Sequence, residues 1–189
     1  MMIQDYFRSF NLFSEEEIEA FLQLFEIRKL NKNEYFVQEG ERCREVAFIS
    51  AGIFRSFYTS DNGKDMTYCF KFPNTMIAAY SSFISGCVSK ESIQAITDVE
   101  LLILKKEKMD ILVQDALNWT QFLKIIAEQE YLELENRFFQ LQRDTAAQRY
   151  AALIRNYPDY IQKIPLQYLS SYLGITQRHL SRIRKEVSF

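Results

Sequence analysis

The feature that most constrains this chain is a single glycine set between two apolar-periodic runs near its end. In 166–189, LQYLSSYLGITQRHLSRIRKEVSF, Leu166, Leu169 and Leu173 recur at helical spacing, Gly174 follows, and Thr176 stands where a second helix would open. Gly174 falls where a tight turn between helices needs a positive φ angle. Pro165 is placed for the first position of the helix before it, where a missing N–H costs nothing. Ser170 is small enough to let the second helix cross closely. In that second run Leu180, Ile183 and Val187 form one apolar stripe, and at about 100° per residue Arg178, Arg182 and Lys185 point away from it. A helix-turn-helix follows, with two guanidiniums and an ammonium facing outward. That chemistry suits the DNA major groove, because Arg forks match the paired acceptors of guanine while Lys and hydroxyls hold phosphates.

Helix pairs with a merely solvated basic face are common, so charge distribution helps to decide. Residues 143–189 hold eight Lys/Arg against three Asp/Glu, a net of +5, whereas 1–142 hold fifteen against twenty-two, a net of −7. A chain of overall charge −2 has sorted its positive charge into one end, as expected if that end approaches a polyanion.

The rest of the chain narrows the chemistry. The only histidine, His179, lies inside the basic helix, so no catalytic pair with a separate histidine and no His-rich metal site can be built. Cys43, Cys69 and Cys87 are scattered and odd in number, which argues against a disulfide framework and against a metal or iron–sulfur site. The five glycines are isolated, with no phosphate-binding loop among them. No catalytic residue, no metal and no cofactor is expected, and the chain is not expected to be an enzyme. No apolar run reaches the length of a membrane span and the first residues do not read as a secretion signal, so a cytoplasmic protein without membrane attachment is expected.

From the N-terminus, Ser14 and Glu17 form a capping-box pattern for a helix to about Phe25. Short runs with turn signals then extend to about Leu104: 34–38, 46–49, 53–58, 67–72, 92–96 and 100–104, with Asp61-Asn62-Gly63 as a hairpin signal. In 67–72, Tyr68, Phe70 and Phe72 alternate with Thr67, Cys69 and Lys71, the pattern of a half-buried strand. A small β-barrel or roll is predicted. The stretch 73–91 is less regular, with room for a short helix at 80–84. Helical periodicity returns at Lys106, and a helix of about 40 Å fits 115–143 without Pro or Gly. It carries Ile125, Leu132 and Phe139 at heptad spacing and a second stripe of Trp119, Leu123, Ile126, Leu134, Phe138 and Leu141, enough to pack on its own domain and on a partner helix. Thr145 with Gln148 caps a further helix to Asn156, ended by Tyr157-Pro158.

This order resembles the Crp/Fnr regulators, named after the cyclic-AMP receptor protein and the fumarate–nitrate regulator. The resemblance runs over nearly the whole chain and is carried by IPLQYLSSYLGITQRHLSRIRK (164–185), AAQRYAALIRNYPD (146–159), VQEGE (37–41) and FISAGIFRSFYTSDNGKD (48–65). It is similar to the short members that stop near the end of the recognition helix, without a β-wing. The fold implied is α+β: a double-stranded β-roll of the cyclic nucleotide-binding kind with its leading helix (1–114), a dimerisation helix (115–143) and an all-α helix-turn-helix domain (144–189).

The function implied is a homodimeric transcription regulator that binds double-stranded DNA, with RNA polymerase as a further partner. The two recognition helices would stand about 34 Å apart, one DNA turn. The resemblance puts base reading at Gln177, Arg178 and Arg182. It puts phosphate contacts at Gln167, Thr176 and His179, with Ser181 and Lys185 beside them, and dimer contacts at Ile125, Leu132 and Phe139. The effector pocket would involve Tyr68, Ala79, Tyr80, Glu91 and Ser92. Cyclic-nucleotide binders of the family carry a G-E pair and then an R-[ST] dipeptide. Here Ala78-Ala79 stand near the first, and Glu91-Ser92 occupy the second, with Glu91 in the arginine's place. A cyclic phosphate would meet a carboxylate there, so cyclic AMP is not expected to bind in the usual mode. The competing reading is a sensor or interaction protein whose roll takes a small molecule or partner and whose basic end does not read DNA.

Overall fold

A computed structural model describes residues 2–187, with the side chains of Asp115, Tyr160 and Val187 outside the described residues. Val187, the third member of the stripe predicted for the last helix, therefore falls outside this description.

Two four-stranded antiparallel sheets form the roll. One has the order β1-β8-β3-β6 and the other β2-β7-β4-β5. Their strands are β1 (Glu26–Leu30), β2 (Tyr35–Val37), β3 (Glu45–Ala51), β4 (Phe54–Thr59), β5 (Asp65–Lys71), β6 (Met76–Ile77), β7 (Ser92–Ala95) and β8 (Val99–Lys105). Phe48, Ile49, Leu101 and Ile103 from the first sheet meet Phe54, Ile93 and Ala95 from the second in one core. The β4–β5 hairpin turns at the predicted Asn62-Gly63, with the Ser60 and Lys64 backbones paired at 2.9 Å. Gly52, between β3 and β4, is required on two counts. Its φ is +93°, and a Cβ there would stand 2.4 Å from the Asp98 carbonyl oxygen.

Two strands absent from the sequence reading, β1 and β6, have weak signatures. β6 is two residues long, and β1 (EIRKL) leaves Ile27 exposed, so neither shows clean alternation. The strand at 67–72 also departs from simple alternation. Ser56 pairs with Cys69 and Phe57 with Thr67, which leaves Tyr68 as the extra residue of a β-bulge.

Helices α1 (Ile3–Arg8) and α2 (Glu15–Leu22) precede the roll. The Ser14 hydroxyl accepts the Glu17 N–H, and the Glu17 carboxylate accepts the Ser14 N–H at 2.7 Å, the predicted capping box. Phe7, Phe13 and Phe21 meet Trp119 and Phe122 in edge-on or tilted contacts at centroid distances of 4.8–6.1 Å, so the leading helices are fastened to the start of the long one. Helix α3 (Tyr80–Ser85) occupies the irregular stretch of the roll. The long helix predicted over about 115–143 forms, starting at Leu117. Ala116 is extended (φ −143°, ψ 124°), ending α4 (Lys106–Asp115) and starting α5 (Leu117–Arg143) in a new direction that carries Trp119 and Phe122 into the aromatic core.

The C-terminal part holds α6 (Ala146–Asn156), α7 (Pro158–Ile161), α8 (Leu166–Leu173) and α9 (Gln177–Val187). Pro165 is the N-cap of α8 and not its first helical residue, since its ψ of 141° is not helical. Gly174 closes α8 in the left-handed region at φ 67°, as the turn demands. Arg149 donates to the Leu173 carbonyl at 2.8 Å and to the Asp144 carbonyl, tying α6 to the end of α8.

Candidate nucleic-acid interface and ligand cleft

Helix α9 is sharply two-sided. Leu180 and Ile183 are 0% and 2% exposed and share a core with Leu169 and Leu173 of α8. The side chains of Gln177, Arg178, His179, Ser181, Arg182 and Lys185 are exposed. Thr176, Arg178, His179, Ser181, Arg182 and Lys185 line one open groove of about 610 Å³. Gln177 and Gln167 are exposed beside it, outside its lining. The Thr176 hydroxyl caps the helix by accepting the His179 N–H at 3.2 Å. Arg182 is held by Glu186 at 3.9 Å, a solvent-exposed pair weak enough to exchange for another acceptor. Chemically, the groove offers forked and single-point donors to a polyanion.

Helix α5 changes character along its length. In its first half Trp119 and Phe122 are buried, and Leu123 and Ile126 pack against the roll core. Beyond that point the polarity is inverted. Glu130 and the more exposed Glu133 reach the ammonium of Lys71 on β5, at 3.2 and 3.5 Å, and the Arg137 guanidinium lies over the rings of Tyr68 and Tyr172. Tyr131, Leu132, Leu134, Phe138, Phe139 and Leu141 turn outward, with Leu132 59% and Phe139 53% exposed. The second apolar stripe read from the sequence is thus split: Trp119, Leu123 and Ile126 face the roll, whereas Leu134, Phe138 and Leu141 face out. Of the predicted heptad residues, Ile125 is half-buried, and Leu132 and Phe139 are exposed.

The roll has a cleft of about 810 Å³ between α3 and the 87–91 loop, with Tyr58, Tyr68, Ile84, Val88, Lys90 and Glu91 among its lining residues. Of the five predicted pocket residues, Tyr68 and Glu91 line it and are bonded to each other, the tyrosine hydroxyl donating to Glu91 Oε2. The other three are placed elsewhere. Ala79 is buried at the start of α3, and Tyr80 lines a smaller space beside Lys71, Phe122 and Glu130. The Ser92 hydroxyl accepts the Glu39 N–H at 3.0 Å and serves the loop. Burial pushes the Glu91 carboxyl above its ordinary range, against the hydroxyls of Tyr68 and Ser56 and the charge of Lys71, which act to lower it. Burial, reinforced by the neighbouring Glu91 charge, raises Tyr68 as well, so its hydroxyl remains a donor.

Sequence reasoning missed the residues that join these sites: Arg55, Tyr168, Ser171, Tyr172 and Arg137. They meet across separations such as the 104 residues between Thr67 and Ser171, and no local pattern signals that. Among the described residues no cluster of three or more His, Cys, Asp or Glu stands ready for a metal, and no helix is long and apolar enough to cross a membrane.

Residues 27–116 match the cyclic nucleotide-binding domain family. Among solved structures, the chain is similar to FixK2 from Bradyrhizobium japonicum, with a TM-score of 0.77 at 19% identity over 86% of this chain and 84% of that one. It is also similar to a protein from Eubacterium rectale assigned as a Crp/Fnr-family transcriptional regulator, with a TM-score of 0.74 at 16% identity over 96% and 87%. A third is the c-di-GMP responsive global regulator CLP from Xanthomonas campestris, with a TM-score of 0.65 at 14% identity over 90% and 89%. No curated protein matches the chain.

Proposed function

We propose, from the premise that this chain carries a cyclic nucleotide-binding domain on the fold of the Crp/Fnr regulators, that it is a homodimeric, sequence-specific DNA-binding transcription regulator. The observation that carries the reading is the outer face of α9, where Gln177, Arg178 and Arg182 are exposed with donors suited to base edges. Thr176, His179, Ser181 and Lys185 stand beside them for phosphates, with Gln167 of α8 as a further donor. The dimer is supported by the inversion on α5. Glu130, Glu133 and Arg137 are engaged with its own chain, whereas its large apolar side chains beyond Ile126 are left without cover. A second copy laid along this face would bury both stripes by the self-complementary contact of a two-fold dimer. RNA polymerase as a further partner rests on the resemblance alone.

For the cleft, we infer that cyclic AMP is not bound in the usual mode, because the buried charge at its wall is the carboxylate of Glu91. Calorimetric titration with cyclic AMP should show no saturable heat, and tight binding would overturn this.

The test of the main reading is selection from a random duplex library with purified protein. A palindrome with half-sites about one turn apart is expected, with affinity that falls steeply with salt. Failure to enrich any site, both alone and with cell extract supplied as a source of effector, would refute it.

A further inference from the structure

The helix-turn-helix does not hang from α5 alone; it is seated on the roll. One edge of the second sheet is β5, and α8 covers it. The Ser171 hydroxyl accepts the Thr67 N–H at 2.9 Å and donates to the Asp65 carbonyl at 2.9 Å, so one side chain satisfies two backbone groups of that edge. Tyr168 covers Arg55, whose guanidinium lies 3.9 Å from its ring centroid and 3.8 Å from that of Phe57. Arg55 is only 4% exposed and also donates to Gln94 and Asp65. Tyr157, following α6, stacks on Phe72 at 4.1 Å. A hydroxyl clamp, a sandwiched arginine and a ring stack form a specific seat.

A further contact, through Arg137 of α5, joins α8 to the cleft. The Arg137 guanidinium is 4.6 Å from the ring centroid of Tyr172 on α8 and 5.6 Å from that of Tyr68 on β5. Tyr68 is the bulged residue whose hydroxyl is tied to Glu91 at the cleft wall. Four side chains therefore run in contact from cleft to head: Glu91, Tyr68, Arg137, Tyr172. We propose that Arg137 is a positioning residue that couples the cleft to the helix-turn-helix of its own protomer, the state of the Tyr68–Glu91 pair setting how firmly α8 is held on β5. The route lies within one chain and is separate from the outer face of α5. An occupant that engages the Glu91 carboxylate competes with the Tyr68 hydroxyl. The tyrosine ring then loses its anchor, and Arg137 loses one of its two aromatic faces. The coupling deepens the reading of α9 as a DNA reader and rests on it for its biological meaning, but the contact chain can be tested without DNA.

The test is a double-mutant cycle on the full-length protein, read by amide hydrogen exchange in 169–173 and at Thr67. Glu91→Gln changes the cleft end, and Arg137→Ala removes the link. Glu91→Gln alone should change exchange in 169–173 by about threefold or more, and should change nothing further when Arg137→Ala is already present. An equal change in both backgrounds, or none in 169–173 with Arg137 intact, overturns the proposal. Trp119 fluorescence checks that the roll core is intact. Should Arg137→Ala fail to fold, Tyr172→Leu removes the same contact from the other side, with the same outcomes decisive. The cycle is then repeated on affinity for a selected duplex, where the same non-additivity is expected. If no duplex is bound at all, the DNA-reading proposal fails while the exchange cycle still decides the coupling.

Discussion

On the second half of α5, six large apolar side chains, Tyr131, Leu132, Leu134, Phe138, Phe139 and Leu141, are exposed among polar neighbours such as Glu133 and Asn136; on α9 the exposed side chains of the described residues are all polar or charged, Gln177, Arg178, His179, Ser181, Arg182 and Lys185 among them. Both helices bury one face, yet only α9 follows the usual rule of apolar inside and charged outside. The inverted half of α5 points to a face that water is not meant to keep. The ordinary polarity of α9 says nothing about partners until its charges are identified as guanidiniums, an ammonium and hydroxyls gathered on one groove. One face is read from a broken rule, the other from the chemistry placed on an unbroken one.

The comparison can be broken most decisively on α5. Leu132→Glu combined with Phe139→Glu should cost dimer association about 2–4 kcal/mol or more. Sedimentation equilibrium should show a shift from two chains to one, with loss of specific DNA binding. A parent protein that is already a single chain at working concentration would remove the dimer from the argument. Because the substituted side chains are exposed in the protomer, the roll should still unfold at its usual temperature.

Next in size is Arg182→Ala, which should weaken specific binding by about 1–3 kcal/mol and relax preference at one base position. Competition titrations with operator and random duplex separate the two effects. An equal loss on both would demote Arg182 from base reader to phosphate contact. Lys185→Gln should do less, weakening all duplexes alike and lowering the slope of log affinity against log salt by about one. If Lys185→Gln alters sequence preference and Arg182→Ala does not, the roles assigned on the groove are exchanged.

Much of this architecture is legible in the sequence. The capping boxes at Ser14 and Thr145, the Asn62-Gly63 turn, Gly174 and the two-sided pattern of α9 are local signals, set by neighbours a few residues apart, and the structure places each as read. What could not be read depends on distant parts of the chain. Alternation in 67–72 failed because a bulge at Tyr68 reverses the pleat and α8 covers the edge strand. The apparent second stripe of α5 spans two environments because the aromatic core ends near Ile126. Of the residues read as an effector pocket, Tyr68 and Glu91 line the cleft, whereas Ala79 is buried at the start of α3, Tyr80 lines a separate space and the Ser92 hydroxyl serves a loop, placements set by the tertiary path of the chain.

The smallest expected effect lies at a charge that belongs to neither face. Glu91 is surrounded by the hydroxyls of Tyr68 and Ser56 and by the charges of Lys71 and Glu130, and burial dominates, raising its pKa from an ordinary value of 4.5. Below that value the carboxyl is neutral in both folded and unfolded chains. As pH rises through it the unfolded chain releases its proton first, the folded chain binds more protons, and stability falls until the raised folded pKa is passed. Glutamine does not titrate. Urea midpoints for Glu91→Gln should therefore diverge upward from the parent's as pH climbs above about 4.5 and then run parallel to them. A gap that stays constant with pH would mean the carboxylate is well satisfied where it lies. Neither oligomeric state nor salt slope should respond to this substitution in the way each responds on α5 and α9, which isolates burial of a single charge from association through a face.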